Sequence, residues 1–255
     1  MLQGETASAN VPGNGVNPLR ADLGPCGTCP IRALTAYGVL GATGIERIAR
    51  LRKGFRTYRA RAVLAREGDV LTEIYTLYEG WVFRFKLLPD GRRQILSFLL
   101  PGDTIGFPLV YATPLHFSIQ TLTDVTVCVF DARALTDFLA SCPAALLGFG
   151  ERSLRDAMAQ DDLMTDLGRR SATARIARLM LDLHRRLRAR GIVAGPTMPF
   201  PLRQRDIADA LGLTPIHVNR VMGTLSKVGV LSLDAGTLTI LEPERLERIA
   251  MNLGH

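Results

Sequence analysis

The stretch from Leu202 to Leu231, LRQRDIADALGLTPIHVNRVMGTLSKVGVL, constrains this chain more than any other. Ile207, Ala208 and Leu211 fall at helical spacing, and Gly212 follows as a stop that calls for positive φ. A second helix starts at Thr214, a good N-cap, with Pro215 at the first helical position, where its missing N–H costs nothing. On a helical wheel Val218, Val221, Met222, Leu225 and Val228 share one arc. Ile216, Arg220, Gly223 and Lys227 share the other, flanked by His217, Asn219 and Thr224. A basic face on an isolated helix is ordinarily just solvated. Behind a short helix and a tight turn, it is the arrangement of a helix-turn-helix whose second helix enters the major groove.

The charge distribution agrees. Residues 1–168 hold 17 Lys/Arg and 17 Asp/Glu, while 169–255 hold 14 and 7, so the whole net charge of +7 lies in the C-terminal third. A basic region beside a neutral one implies a polyanion partner reached through phosphate contacts. The apolar content of 47% supports a globular core, and no uncharged apolar run is long enough to span a membrane. The N-terminus lacks the basic start and apolar core of a secretory signal, so a cytoplasmic location is expected. Four cysteines there are expected as free thiols or ligands rather than disulfides.

Residues 1–25 lack periodicity and read as a flexible arm, followed by PCGTCPIRAL with Cys26 and Cys29. GIERIARLRK at 44–53 has helical spacing. From about Arg56 to Phe130 short apolar and β-branched runs alternate with turns at Glu67-Gly68-Asp69, Pro89-Asp90-Gly91 and Pro101-Gly102-Asp103. From Pro143 to Leu167 a helix is expected, with Leu147, Leu154, Met158 and Met164 forming an apolar seam that Gly150 and Asp161 interrupt. SATARIARLMLDLHRRLRAR at 171–190 is an amphipathic helix with Ile176, Leu179, Met180, Leu183 and Leu187 inside and arginines outside. VGVLSLDAGTLTIL is a hairpin turning at Asp234-Ala235-Gly236, and EPERLERIAMNL closes with a short helix.

DIADALGLT followed by HVNR resembles the winged-helix DNA-binding domain of the Crp/Fnr family of bacterial transcription regulators, and the preceding segments match that family in order. The resemblance implies an α+β architecture: an N-terminal cyclic-nucleotide-binding-like β-roll (a double-stranded jelly roll), a long dimerisation helix and a C-terminal winged helix-turn-helix. The expected division is an arm with CxxC at 1–30, the β-roll sensor at 31–142, the dimerisation helix at 143–168 and the DNA-binding domain at 169–255. It further implies a homodimer on a palindromic double-stranded operator, working with RNA polymerase. Arg220 is the expected base or phosphate contact, with Asn219, His217 and Ile216 beside it, Lys227 and Arg203 holding phosphates, and Thr214 in the same DNA-binding set. Well-known members carry a Glu where this chain has Ile216, so an altered half-site is expected.

Cyclic AMP binding in this family uses a Gly-Glu-Leu segment and a later Arg-Ser pair. Here Gly106-Phe107-Pro108 stands at the first place and no Arg or Lys occurs from Ile105 to Ala132, which argues against cAMP. Cys26, Cys29 and Cys128 resemble three of the four iron–sulfur ligands of Fnr-type oxygen sensors, with Thr35 in place of the third clustered cysteine and Cys142 as a substitute donor. The same residues read more plainly as a buried Cys128 in TVCVF and a CxxC suited to half a zinc site or a redox dithiol. No Ser/His/Asp set, carboxylate pair or phosphate loop is present, so an enzyme is not expected. Two other readings compete with the regulator: a redox or metal-binding CxxC protein with a basic docking domain, and a cyclic-nucleotide-responsive regulator.

Overall fold

The computed structural model describes residues 23–106 and 113–251. Two 3₁₀ turns, Cys26–Thr28 and Arg32–Leu34, lead into helix α1 (Ala42–Leu51) and then eight strands. Those strands are β1 (Arg52–Tyr58), β2 (Val63–Ala65), β3 (Glu73–Glu79), β4 (Val82–Leu87), β5 (Arg93–Leu99), β6 (Thr104–Ile105), β7 (Ser118–Thr121) and β8 (Val125–Asp131). They form two four-stranded antiparallel sheets, ordered β1-β8-β3-β6 and β2-β7-β4-β5, the expected β-roll. The helix expected at 44–53 ends at Leu51, because Arg52 already pairs with Phe130 across β1 and β8.

Strand periodicity decides which side chain meets which layer. In β8, Val125, Val127 and Val129 fill the roll interior with Leu77, Val82 and Ile119. Cys128 and Phe130 point the other way, into a layer closed by α1, by 36–40 and by α2 (Ala132–Ala140). Helix α2 was not expected; Asp131 caps it by accepting from Ala134 N–H at 3.0 Å, and it buries Leu135, Phe138 and Leu139. In β4 and β5, Val82 and Leu99 face inward, whereas Phe83, Ile95 and Phe98 face outward.

Helix α3 (Pro143–Arg169) packs its first turns on the 36–40 segment: a Cβ on Gly148 would lie 2.4 Å from the Ala36 carbonyl oxygen, so only glycine permits the approach. The expected seam faces solvent, with Leu147 74% and Met164 67% exposed and Leu154 and Met158 close behind. Helix α4 (Ala172–Ala189) follows after an extended Arg170. Ile176, Met180, Leu183 and Leu187 are buried as expected. Its arginines are not all outside: Arg186 and Arg190 turn onto the buried carboxylate of Asp103, which also meets Arg152. The pattern alone could not show this, because Asp103 comes from the β5–β6 turn.

The C-terminal unit consists of α5 (Gln204–Leu211), α6 (Pro215–Lys227), α7 (Pro243–Ala250) and a three-stranded sheet. The expected hairpin supplies β10 (Leu231–Asp234) and β11 (Thr237–Ile240), and β9 (Thr197–Pro199), expected as loop, adds an edge. The outward residues of β4 and β5, together with Trp81, the single tryptophan of the chain, join one core with Ile176, Met180, Ile207, Leu211 and Met222. The β-roll and the C-terminal unit therefore meet over an apolar face rather than a bare linker. No helix among the described residues is long and apolar enough to cross a membrane.

Candidate nucleic-acid interface and thiol site

Local chemistry builds the reader as its sequence implies. Gly212 takes φ 64° between α5 and α6, a left-handed conformation that favours glycine. Thr214 caps α6 by accepting from His217 N–H at 3.2 Å, with Pro215 beginning the helix. Val218, Val221, Met222 and Leu225 are buried and press α6 onto α4 and α5. Val228 departs from the expected arc: α6 ends there and Val228 is exposed, while Val230 enters the core.

The opposite face of α6 is open. Ile216 is 83% exposed, Asn219, Arg220 and Lys227 are exposed, and His217 is half-buried beside them. Arg203 and Thr214 are exposed at the N-termini of α5 and α6, the ends where the helix dipole favours anions. Arg220 has no side-chain partner among the described residues, whereas the amide oxygen of Asn219 already accepts from Gln204 Nε2 at 2.8 Å. That bond fixes the Asn219 rotamer and leaves its NH2 to donate. A protruding helix with one apolar contact, one amide donor and one free guanidinium can reach base edges and phosphates.

Behind this face lies a contact that the sequence did not announce. Asp206, at the third position of α5, accepts from Arg203 N–H at 3.0 Å as a helix cap. It also receives Arg61 of the β1–β2 turn through both terminal nitrogens and Arg93 of β5 through one, each at 3.0 Å. Burial alone would raise the Asp206 carboxyl; the hydrogen bonds from Arg61 and Arg203 N–H and the charges of Arg61 and Arg93 instead hold it below the usual carboxylate range.

The expected thiol residues come together only in part. Cys26 and Cys29, both half-buried, and buried Cys128 lie within electrostatic reach of one another, with Arg52 beside Cys26 and Cys128. Arg52 ties this segment to β1 by donating to the Gly24 carbonyl at 3.1 Å. Burial raises the Cys26 thiol and pushes the Cys128 thiol up to about 12, so both are held protonated. Thr35 is occupied: its hydroxyl donates to the Arg32 carbonyl at 2.8 Å and accepts from Tyr37 N–H at 3.1 Å. Cys142 packs on the same apolar layer as Cys26. An iron–sulfur cluster takes four thiolates, whereas here three cysteines approach one another, Thr35 is bound to Arg32 and Tyr37, and Cys128 is buried and protonated, a donor set that does not fit such a cluster.

A cavity of about 180 Å3 lies between the roll and α3, lined among others by Arg84, Asp103, Phe117, Arg152 and Asp156. Arg84 donates to Ser97 Oγ at 2.7 Å, stacks on Phe117 and is lowered by burial. Arginines thus reach this cavity from β4 and α3 rather than from 105–132, with Arg84 engaged by Ser97 and Arg152 by Asp103. Phe107 and Pro108 lie outside the described residues.

Two family models match the chain: a cyclic nucleotide-binding domain at residues 55–142 and a Crp-like helix-turn-helix domain at 174–249. The nitrogen fixation regulation protein FixK of Bradyrhizobium diazoefficiens is 35% identical, over 88% of this chain and 93% of its own. The transcriptional activatory protein AadR of Rhodopseudomonas palustris is 34% identical, over 87% and 91%. Among solved structures, FixK2 from Bradyrhizobium japonicum superposes with a TM-score of 0.71 at 28% identity, covering 76% of this chain and 96% of that one.

Proposed function

Because the chain belongs to the Crp/Fnr family of transcription regulators and carries a Crp-like DNA-binding helix-turn-helix, we propose that two copies bind a palindromic operator in the cytoplasm and act there with RNA polymerase. The observation that carries this reading is the open face of α6, with Ile216 83% exposed and Arg220 without a side-chain partner among the described residues. The exposed seam of α3 supplies the two-fold contact, and its interruption by Gly150 and Asp161 makes the dimer marginal. Two recognition helices related by that axis then enter successive major grooves about 34 Å apart.

In this reading Arg220 contacts a base or phosphate, Asn219 donates to a base edge and His217 supports it, while Lys227, Arg203 and Thr214 hold phosphates. Ile216 offers apolar contact to a thymine methyl. Selection of bound sequences from a random pool tests the reading: a two-fold site is expected, and recovery of the TTGA-like half-site usual for members with Glu at the place of Ile216 would remove the role given to Ile216. Arg220→Ala should weaken specific binding by about 1–3 kcal/mol. Mass measurement across a dilution series should show dissociation.

The signal enters, we propose, through the thiols of Cys26 and Cys29 over Cys128, as oxidation of the Cys26 and Cys29 pair to a disulfide by an external peroxide, which takes the two electrons and two thiol protons and leaves as water. Anaerobic purification with an absorbance spectrum and iron and sulfide analysis separates this from a cluster: a colourless, iron-free protein supports the thiols, a brown one that bleaches in air the cluster. A cyclic-nucleotide reading is favoured by the match at 55–142 and by Arg84, yet a cavity of about 180 Å3 is small beside the roughly 300–1,000 Å3 of ordinary ligand pockets. We therefore propose that cAMP is not the signal, which calorimetric titration checks.

A further inference from the structure

We propose that Arg61 and Arg93 of the β-roll are positioning residues for DNA binding: by gripping Asp206 and Asp209 on α5 they fix the direction in which the recognition helix faces. The proposal rests on the reading of the chain as a dimer on a two-fold operator. A helix-turn-helix that merely needed its first helix capped would use Asp206 for Arg203 N–H and leave the rest of the carboxylate to water. Here both oxygens are taken by the sensor as well, and Asp206 is 2% exposed. Arg93 also donates from Nε to Asp209 at 2.8 Å, and Gln94 Nε2 donates to the Ala210 carbonyl at 3.1 Å, so β5 holds α5 along its length.

The gripping arginines are themselves held. Arg93 lies over the rings of Phe83 and Phe85, 4.7 and 5.6 Å from their centroids, and donates to Gln120 Oε1 at 3.2 Å. Gln120 in turn donates to the Arg61 carbonyl at 2.9 Å. Arg61 has φ 66°, a left-handed backbone that a non-glycine residue rarely adopts, and its N–H donates to the Thr121 carbonyl at 3.1 Å. Two forked guanidiniums matched to two carboxylates give an orientation, not only an attraction.

From Asp206 the constraint passes to the reader in one step: Gln204, two residues earlier in the same turn, bonds Asn219 of α6 at 2.8 Å. The grip does not cover the DNA face, since Arg203, Gln204, Arg205, Ile216 and Arg220 all remain exposed. It therefore positions rather than blocks. Along the chain only Arg170 and Ser171, both extended, separate α3 from α4, so the grip adds a direction to the non-directional apolar core that the roll shares with α4, α5 and α6.

The test uses the full-length protein and an operator obtained by selection, with fluorescence anisotropy on DNAs whose half-site spacing is altered by one or two base pairs. Each base pair shifts one half-site by about 3.4 Å and about 34°. The wild type should lose at least tenfold in affinity for one base pair of change. Arg61→Gln/Arg93→Gln should bind the best spacing about tenfold more weakly and the altered spacings with a preference no greater than threefold, while affinity for unrelated DNA changes by no more than twofold. Asp209→Asn, which leaves the α5 cap intact, should flatten the same profile in part. Arg61→Lys/Arg93→Lys, which keeps charge without the fork, should fall between. A double variant with the wild-type spacing profile, or an equal loss at every spacing accompanied by a lowered melting temperature, would overturn the proposal. A wild type that binds no two-fold site would sink the operator reading together with it.

Discussion

Replacing Asp103 by asparagine removes one charge and almost no volume, at a point where the β-roll, α3 and α4 converge. Asp103 is 4% exposed; it accepts from Leu100 N–H at 2.9 Å, from Arg186 at 3.3 Å and from Arg190 at 2.5 Å, and pairs with Arg152. Asparagine can still accept from Leu100 N–H, so the turn keeps its bond. The three guanidiniums lose their shared counter-charge. Burial and their mutual repulsion already hold Arg152 and Arg190 down to about 10, so the cluster has little tolerance for further positive excess. Breaking a buried pair by removing one partner costs about 3–5 kcal/mol. The side chains of Arg152 and Arg186 retain 22% and 27% exposure, which places Asp103→Asn near the lower end, about 3 kcal/mol. For a chain of this size that lowers the melting temperature by roughly 6–12 °C. Urea unfolding of wild type, Asp103→Asn, Arg190→Gln and the double variant measures it. The double variant should be less damaged than the two single losses added together. A single loss below about 1 kcal/mol, or strict additivity, would refute the reasoning, because the carboxylate would then not be holding the arginines.

Among the described residues the buried Tyr37 hydroxyl has only the Thr76 hydroxyl within reach and makes no well-formed hydrogen bond, so Tyr37→Phe should be neutral or stabilising by up to about 1–3 kcal/mol in the same unfolding assay; a clear loss would show that the Thr76 contact is a true bond. Met158→Glu puts a charge on the exposed α3 seam and should shift the monomer–dimer equilibrium towards monomer in sedimentation, where an unchanged equilibrium would count against the seam. Because Asp206 is held below its ordinary value when folded, the stability it contributes is present above the unfolded value of about 3.9 and is lost as the pH falls through the folded one. Protection factors of the α5 amides, corrected for the intrinsic pH dependence of exchange, should therefore fall in acid in the wild type and fall less in Arg61→Gln/Arg93→Gln.

What the sequence revealed followed from what is local. Helix caps and stops at Thr214, Pro215 and Gly212 act within a few residues, and strand alternation from Arg56 to Phe130 needs only neighbours, so both were legible. Helix α2 escaped because Ala132–Ala140 follows β8 without a break and its cap, Asp131, is also the last strand residue. Strand β9 escaped because three residues carry no period and pair only once β11 is in place. The charged contacts were hidden more deeply. Arg186 and Arg190 sit where a helical wheel assigns solvent, and Asp206 looks like an ordinary cap, until turns and a strand of the roll more than eighty residues away bring Asp103, Arg61 and Arg93 against them. Among the thiols, the grouping of Cys128 with Cys26 and Cys29 came from the family resemblance, whereas the engagement of Thr35 depends on the local turn at Arg32–Tyr37.

Trp81 gives the joint between sensor and reader a natural optical label. It is the only tryptophan in the chain and it is buried in the core that β4 and β5 share with α4, α5 and α6. Its emission therefore reports a single place, and that place is where the two halves of the molecule touch. Separation of the halves would wet the indole and move its emission to longer wavelength with no dye attached, so signal, operator and mutation can all be followed on the unmodified protein by one spectrum.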